Sequence, residues 1–217
     1  MRASTCEILQ NLIRRYPALR ICEGEIDAAA ALLLDCFSQN GKLLVCGNGG
    51  SAADSEHIVG ELMKTFMLNR PLDSIMCDKI YSAYPEHAEM MIKNLQRAVP
   101  AISLVSETAL MTAYTNDNSA EMAFAQQVLS YGQPGDVLLA ITTSGNSSNV
   151  LHAARIARVR DVKVIALTGQ SGGKIKALSD VSICVPSNIT YQIQEFHLPV
   201  YHCLCACVEN ELFGSDG

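Results

Sequence analysis

The stretch VCGNGGSAADSEHIVGEL, residues 45–62, links a short apolar segment to a helical one through a glycine-rich turn. The apolar run Leu43–Cys46 ends at Gly47, and a helix is predicted to begin near Ser51, a residue type suited to capping, and to run through Phe66. Glycines let the backbone approach a ligand closely, and the start of a helix offers free N–H groups to an anion. The stretch therefore predicts a strand, an anion-binding turn and a helix.

Four further apolar runs alternate with helical patterns along the chain. Each is rich in β-branched residues or leucine and is bounded by Gly, Pro, Asp or Ser, as expected for strands buried on both faces. Five short strands that alternate with helices predict an α/β fold, with one five-stranded, doubly wound parallel sheet flanked by helices in three α-β-α layers. The four runs are Ala101–Val105, Val137–Ile141, Val164–Leu167 and Val181–Val185.

The two ends of the chain are predicted to be helical. Within residues 1–40, positions 4–16 repeat apolar residues at helical spacing, and Ile26–Phe37 is rich in alanine and leucine. Residues 190–213 form a predicted closing helix, in which Pro199 should cause a kink or a local break.

Residues 67–99 do not follow the alternation of strands and helices. They carry two prolines, several charges and a short helical pattern around residues 87–97. We predict an insertion here, serving as a lid or a partner surface, within a single domain that spans residues 1–217.

The composition excludes several classes of protein. A length of 217 residues suits one large α/β domain, and 49% hydrophobic with 18% charged residues is enough material for a core. The formal net charge of −6, without a run of Lys and Arg, disfavours a nucleic-acid partner. No apolar stretch approaches the roughly 18 residues that span a bilayer, and the N-terminal pattern is that of an amphipathic helix rather than a signal peptide. We therefore expect a cytoplasmic protein without a membrane partner.

The nine cysteines are an odd number, at spacings that suit neither a disulfide framework nor a zinc ribbon. Cys203, Cys205 and Cys207 are two positions apart on a predicted helix, so their side chains point to nearly opposite sides and cannot converge on one ion. Buried, reduced thiols are the better interpretation.

A second polar loop, Thr142–Ser148, directly follows the predicted strand Val137–Ile141. Ligands of open parallel sheets bind beyond the carboxyl ends of the strands, and hydroxyl groups can hold a phosphate without any lysine. Either this loop or Gly47–Ser51 alone could consist of ordinary turn and capping residues. Two such loops on one sheet favour a phosphate site.

His57 and Glu61 lie four residues apart on the helix predicted from Ser51. This spacing puts them on one face, roughly 6 Å apart, which is suitable geometry for one metal ion. An isolated pair at this spacing is also common as a surface His–Glu contact, so the spacing leaves both readings open.

The combination of motifs resembles the sugar isomerase (SIS) domain family. The motifs are GNGGS with the His57 and Glu61 that follow it, TTSGNSSNV, ALTGQSGG, and IQEFH with His202 beyond it. Within this family the chain looks most like the phosphoheptose isomerases, also called sedoheptulose 7-phosphate isomerases, and the resemblance covers most of the chain outside residues 67–99. It implies a sugar-phosphate substrate and a homotetramer with sites between subunits.

The resemblance also assigns roles to residues of this chain. The hydroxyl loop and the serine after the glycines would hold the sugar phosphate, and an Asn-Asp pair would line the sugar site. The predicted substrate-binding residues are Asn48, Gly49, Gly50, Ser51, Asn116, Asp117, Thr142, Thr143, Ser144, Ser147 and Gln194.

The resemblance further implies one zinc ion per subunit. Its ligands would be His57, Glu61, Gln194 and His202. Eight residues of regular helix rise about 12 Å, which is a long reach for Gln194 and His202 to meet at one ion. His197 is therefore kept as the alternative ligand, unless a distortion near Pro199 or a second subunit removes the conflict.

The reaction implied is the interconversion of sedoheptulose 7-phosphate and D-glycero-D-manno-heptose 7-phosphate. An aldose–ketose isomerase needs a base for the carbon-bound proton, an acid for the oxygens and a positive centre for the enediolate. Glu61 is the predicted base and His202 the predicted acid, which are the roles that the family gives to these positions.

Three departures from the family pattern leave the substrate less defined than the reaction. Ser171 replaces a frequent Asp, Thr65 replaces an Arg although Lys64 lies beside it, and residues 67–99 form a longer segment. Two alternatives follow: an isomerase of another sugar phosphate, or a non-catalytic SIS-domain regulator that binds a phosphosugar or a replication initiator. Regulators of that kind lack the carboxylate and the distal histidine, which are Glu61 and His202 here.

Overall fold

The computed structural model describes residues 1–214, so residues 215–217 of the predicted domain lie outside the described part. Five parallel strands form one sheet in the order β2-β1-β3-β4-β5. This confirms the predicted α/β fold, and each strand lies within two residues of its predicted bounds. The strands are β1 Leu43–Cys46, β2 Ala101–Ser103, β3 Val137–Thr142, β4 Lys163–Thr168 and β5 Val181–Cys184.

Helices cover both faces of this sheet. Short 3-10 helices at Pro17–Cys22, Ala120–Met122 and Lys174–Leu178 connect some of them. The α-helices are α1 Ala3–Arg15, α2 Glu23–Ser38, α3 Gly50–Met63, α4 Ser74–Ala83, α5 Ala88–Asn94, α6 Thr108–Asp117, α7 Ala123–Tyr131, α8 Ser148–Val159 and α9 Thr190–Phe213.

Alternate side chains of the strands enter two separate hydrophobic cores. In β1, Leu43 and Val45 belong to a core shared with α1, α2, α3 and α9, whereas Leu44 and Cys46 belong to a second core with α7 and α8. This period of two follows from the extended strand, whose successive side chains point to opposite faces. The molecule therefore has the three α-β-α layers that the sequence predicts.

α3 ends at Met63, three residues before its predicted end, because Arg70 takes over the last helical carbonyls. The guanidinium of Arg70 donates from Nη1 to the carbonyl of Leu62 at 2.7 Å and from Nη2 to the carbonyl of Glu61 at 3.1 Å. The next residue, Lys64, is extended, with φ −132° and ψ 174°. Arg70 lies seven residues beyond the end of α3, so the sequence of the helix itself does not indicate this contact.

Residues 67–99 contain two helices, α4 and α5, where the sequence predicts one. α4 begins after Asp73, whose side chain accepts a hydrogen bond from the N–H of Met76 at 2.8 Å. α4 has no buried residue, so it lacks the apolar stripe by which a helix is usually predicted. α5 falls within the helical pattern predicted around residues 87–97.

α9 runs without interruption through Pro199, so the predicted local break is wrong. Pro199 is buried, as are His197 before it and Val200 and Tyr201 after it in the helix. Packing on both sides of the proline holds the helix together despite the missing N–H. No helix within residues 1–214 is long and apolar enough to cross a membrane.

Candidate active site

The two glycine-containing polar loops lie together at one edge of the sheet, as predicted. β1 and β3 are adjacent and parallel, with Cys46 opposite Ala140, so the loops that follow them emerge side by side. Asn48 from the first loop and Asn149 from the start of α8 exchange two hydrogen bonds of 2.8 Å each. This pair of amides ties the two loops into one polar surface.

The hydroxyl loop after β3 is tightly folded. The hydroxyl groups of Thr142 and Ser147 lie 3.1 Å apart, and Ser144 Oγ accepts a hydrogen bond from the N–H of Asn146 at 3.1 Å. Gly145 has φ +67°, and a Cβ there would lie 2.1 Å from the carbonyl oxygen of Gly172. Only glycine fits at that position, and its absence of a side chain lets the loop that follows β4 close against this one.

The first loop presents the N-terminus of α3. Gly49 precedes the helix with φ +59° and ψ −119°, a conformation that glycine adopts readily. Ser51 is buried in the first turn of the helix. A Cβ on Gly50 would lie 2.4 Å from Gln194 Nε2, so the amide of Gln194 lies directly against this turn. Gln194 therefore borders the predicted phosphate loop.

α3 and α9 pack side by side and run in the same direction. Gly50 faces Gln194, and seven residues further along each helix His57 faces Tyr201. The rings of His57 and His202 are 5.0 Å apart at an interplanar angle of 88°. The packing of two helices thus brings together side chains that are 145 positions apart in the chain.

Glu61 completes this cluster from the same face of α3. One carboxylate oxygen, Oε1, lies 3.2 Å from His57 Nε2, and the other, Oε2, lies 3.1 Å from Lys64 Nζ. His202 is half-buried against Phe66, and its Nε2 is enclosed without a hydrogen-bond partner among the described residues. Burial lowers the pKa of His202, and His57 lowers it further. We call His57, Glu61 and His202 the seam cluster.

Two further polar side chains reach the seam cluster from behind. Tyr201 Oη lies 3.0 Å from His57 Nδ1 and donates to Asp54 Oδ1 at 3.3 Å. Burial raises the pKa of Tyr201, and the neighbouring Asp54 adds to that shift. Burial also raises the pKa of Asp54, although the hydrogen bond from Tyr201 opposes it. The sequence prediction named neither residue, because neither matches a motif.

The seam cluster has the donor types that a zinc ion takes. Two imidazoles and a carboxylate are among its common ligands, and the enclosed Nε2 of His202 has no hydrogen-bond partner within residues 1–214. Within residues 1–214, however, no three His, Cys, Asp or Glu side chains already converge on one point. Gln194 lies two turns of α9 away, about 12 Å by the rise of a helix. The residues fit the ion by chemical type.

His197, the alternative ligand, lies elsewhere. It is fully buried on α9, where burial lowers its pKa to about 4 while the backbone of Thr168 opposes that shift. No contact of His197 with His57 or Glu61 is found, whereas His202 packs on His57. Of the two histidines, His202 is therefore the one beside the predicted ligands.

Asn116 and Asp117 lie at the C-terminal end of α6. Both are exposed, and Asn116 Nδ2 donates to Asp117 Oδ1 at 2.9 Å. No hydrogen bond joins them to the loops or to the seam cluster. Thr143 is half-buried, and its carbonyl accepts from the N–H of Gly169. Most of the predicted residues thus lie on α3, α9 and the two polar loops, whereas Asn116 and Asp117 lie on the outer helix α6.

A buried ion pair near the seam cluster was not predicted. Glu209 on α9 and Arg70 are almost fully buried, and their Oε1 and Nε atoms are 2.6 Å apart. The carboxylate of Glu209 also accepts hydrogen bonds from the backbone N–H groups of residues 66–68. We call this arrangement the Glu209 clamp; it fixes the chain just after Glu61. Its partners are 139 positions apart, so no local pattern indicates it.

Comparison with known proteins first shows the broad family to which this protein belongs. The SIS domain family matches the chain twice, over residues 16–102 and over residues 100–201. The two matches overlap at residues 100–102, where β2 begins, and together cover both polar loops with His57 and Glu61, whereas His202 directly follows the second match. The fold is that of a SIS domain, and the chain belongs to the SIS domain family.

Curated relatives narrow the class. A phosphoheptose isomerase of Shewanella oneidensis is 41% identical over 219 aligned positions, which cover 100% of this chain and 96% of that protein. One from Shewanella loihica is 41% identical over 194 residues, or 88% of this chain and 85% of that protein. The chain therefore belongs to the phosphoheptose isomerase family of SIS domain proteins.

Solved structures agree with this assignment. A phosphoheptose isomerase from Neisseria gonorrhoeae superposes with a TM-score of 0.73 at 36% identity, covering 93% of this chain and 94% of that chain. One from Francisella tularensis gives a TM-score of 0.74 at 32% identity with the same coverage.

Proposed function

We propose that this protein is an enzyme that interconverts sedoheptulose 7-phosphate and D-glycero-D-manno-heptose 7-phosphate. The observation that carries the proposal is the seam cluster, which lies two to three turns along α3 from the phosphate-type loops at its start. A sugar phosphate held by its phosphate at the loops would extend along α3 toward Glu61. The names of the relatives support the same reaction.

The phosphate would be bound by neutral donors. The hydroxyl groups of Thr142, Ser144 and Ser147, together with Ser51, would hold it at the starts of α3 and α8. Asn48, Gly49, Gly50 and Thr143 shape the backbone around them. Anchoring the phosphate far from the reacting carbons orients the sugar, and such orientation lowers the entropic part of the barrier.

Glu61 would act as the base and His202 as the acid. Glu61 abstracts the proton from the carbon beside the carbonyl, and His202 exchanges a proton with the sugar oxygens, so that the carbonyl moves by one carbon. Contacts to His57 and Lys64 hold both oxygens of Glu61 in place. The lowered pKa of His202 keeps its imidazole neutral and able to donate or accept near neutral pH.

A zinc ion, one per subunit, is proposed as the cofactor. His57, Glu61, His202 and Gln194 would hold it, and zinc supplies polarisation of the carbonyl and of the enediolate oxygens when it is bound. Because Gln194 and His202 are eight residues apart on α9, the amide of Gln194 would reach the ion only after a rearrangement of the helix, or Gln194 of another subunit would supply it.

A homotetramer is proposed as the assembly. Apolar side chains on the outer helices, Ile75, Tyr84 and Met90, are each more than half exposed in the single chain. Asn116 and Asp117, expected to line the sugar site, lie on the exposed helix α6. A neighbouring subunit could receive them, which would place the sites between subunits.

The test is turnover of sedoheptulose 7-phosphate by zinc-loaded protein, with the variant Glu61→Gln beside it. Loss of a general base lowers the rate by about 10²–10⁴-fold. Glu56→Gln is the matched control, because Glu56 is an exposed carboxylate on the same helix that contacts only Ser106 among the described residues. Equal turnover by Glu61→Gln and by wild type would remove Glu61 from the mechanism.

A second outcome is binding of the sugar phosphate without turnover by the wild type. That result would favour an isomerase of another sugar phosphate or a SIS-domain regulator without catalysis. A panel of ketose and aldose phosphates separates the two, because an isomerase turns over one member whereas a regulator binds without turnover.

A further inference from the structure

Asp54 and Tyr201, behind the seam cluster, form a continuous series of hydrogen bonds with His57. Asp54 Oδ1 lies 3.3 Å from Tyr201 Oη, and Tyr201 Oη lies 3.0 Å from His57 Nδ1. The rings of Tyr201 and His57 meet edge to face, with centroids 5.6 Å apart. Tyr201 itself is almost fully buried, so this geometry is held by the packing of α9 on α3.

The number of hydrogens that Asp54, Tyr201 and His57 carry determines which atom donates in each of these hydrogen bonds. A phenol has one O–H to donate, and an ionised carboxylate only accepts hydrogen bonds. Tyr201 therefore donates its one hydrogen bond to Asp54 and offers only an oxygen lone pair to His57. The remaining contact requires that Nδ1 of His57 carries a hydrogen. In a neutral imidazole the other nitrogen, Nε2, is then unprotonated.

The unprotonated Nε2 of His57 faces a hydrogen-bond acceptor. His57 Nε2 lies 3.2 Å from Glu61 Oε1, so a lone pair faces a carboxylate oxygen. In this tautomer the contact between Nε2 and Glu61 Oε1 has no hydrogen, and a cation between the two acceptors would satisfy both of them. The hydrogen bonds of Asp54 and Tyr201 favour one tautomer of His57. In that tautomer His57 can ligate a metal ion through Nε2 beside Glu61.

We propose that Tyr201 and Asp54 are positioning residues that hold His57 in the tautomer with its proton on Nδ1, so that Nε2 is presented to a divalent metal ion at the seam cluster. The metal part of this inference rests on the proposed function. The tautomer part rests on the contacts of Tyr201 with Asp54 and with His57. Tyr201 and Asp54 touch neither substrate nor reacting atoms and act through His57.

The experiment reads the tautomer directly in the metal-free protein. Protein labelled with ¹⁵N-histidine is studied by long-range ¹H–¹⁵N correlation at a pH above the ordinary histidine pKa, and the signals of His57 are assigned with His57→Asn. The expected spectrum shows a protonated Nδ1 and an unprotonated Nε2. The opposite pattern in the wild type overturns the proposal, whatever the variants do.

Two variants test the chain and its consequence for the metal. In Asp54→Asn the amide can donate to Tyr201, so the phenol proton turns toward Nδ1 and His57 should change to the Nε2–H tautomer. Tyr201→Phe removes the acceptor, so the Nδ1–H form should lose its dominance. Zinc affinity, measured by competition with a coloured chelator, should fall about 10–100-fold in both.

Tyr191→Phe is the control, because Tyr191 is exposed at the other end of α9. It should leave the tautomer and the zinc affinity unchanged. Wild-type tautomer and wild-type affinity in Asp54→Asn would overturn the proposal. The tautomer is measured without metal or substrate. The spectrum therefore tests the tautomer even if the protein does not isomerise heptose phosphate.

Discussion

The contact between α3 and α9 differs sharply from the hairpin of α4 and α5, although both are pairs of helices with many apolar residues. Between α3 and α9, polar side chains are fixed by partners: His57 contacts Tyr201, and Glu61 contacts Lys64. In the hairpin, α4 has no buried residue and α5 has only Ala88. Side chains that must act together need surroundings that hold them, and only the first pair of helices provides these.

The hairpin joins the rest of the molecule at its base. The N–H of Arg97 donates to the carbonyl of Arg70 at 2.9 Å, and Arg97 Nε donates to the carbonyl of Pro71 at 3.0 Å. The guanidinium groups of Arg70 and Arg97 both lie over the ring of Phe213, at 4.8 and 4.9 Å. The hairpin therefore leaves and re-enters the fold at the Glu209 clamp, beside the C-terminal end of α3.

Breaking the Glu209 clamp should give the largest effect. Glu209→Gln removes the charge that compensates Arg70, which is fully buried, so the free energy of unfolding should fall by about 3–5 kcal/mol. Urea denaturation followed by circular dichroism measures this. Glu195→Gln, an exposed site on α9, should change the stability by less than about 0.5 kcal/mol. Similar values for both variants would mean that the clamp contributes little to stability.

The buried His197 should give an intermediate, pH-dependent effect. Its folded-state pKa of about 4 lies below the ordinary value near 6.5, so the unfolded chain takes up a proton first as the pH falls. This contribution to stability is complete above pH 6.5 and is lost as the pH falls toward 4. Between pH 7 and pH 5 it amounts to about 2 kcal/mol.

The test compares denaturation of wild type and His197→Leu at both pH values. The loss of stability from pH 7 to pH 5 should be smaller in His197→Leu by that amount, because the other titrating groups are common to both proteins. An identical pH dependence in the two proteins would refute the assignment to His197.

Ser147→Ala in the hydroxyl loop should have a smaller effect, which appears in substrate binding. The substitution removes one neutral hydrogen bond to the phosphate, worth about 1 kcal/mol, so KM should rise about 5-fold with little change in kcat. Steady-state kinetics with sedoheptulose 7-phosphate measure both constants. Ser130→Ala, on the exposed surface of α7, should leave them unchanged. An unaltered KM in Ser147→Ala would place the phosphate elsewhere.

The hairpin should be the least sensitive region. Glu86 is exposed, so Glu86→Gln should alter the free energy of unfolding by less than about 0.5 kcal/mol and leave turnover intact. Denaturation and size-exclusion chromatography of the variant check this. A larger loss of stability, or a later elution volume, would show that another subunit covers this side chain in solution.

Much of the site could be predicted because its signals are local. The glycines and hydroxyl groups follow strands directly, and the parallel order of β1 and β3 brings the two loops together. His57 and Glu61 share a helix face by spacing alone. The Glu209 clamp and Tyr201 could not be found in this way, because their partners lie more than 130 positions away in the chain.

The sequence by itself determined the five parallel strands, the two loops and the pair on α3, since alternation, glycine placement and helical spacing act within a few residues. Only the tertiary structure decided that His202 rather than His197 lies beside His57, and that Tyr201 and Asp54 support it. The reason is that which face of α9 meets α3 depends on the packing of both helices on the sheet. Side chains on different faces of one continuous helix look equivalent until that packing is known.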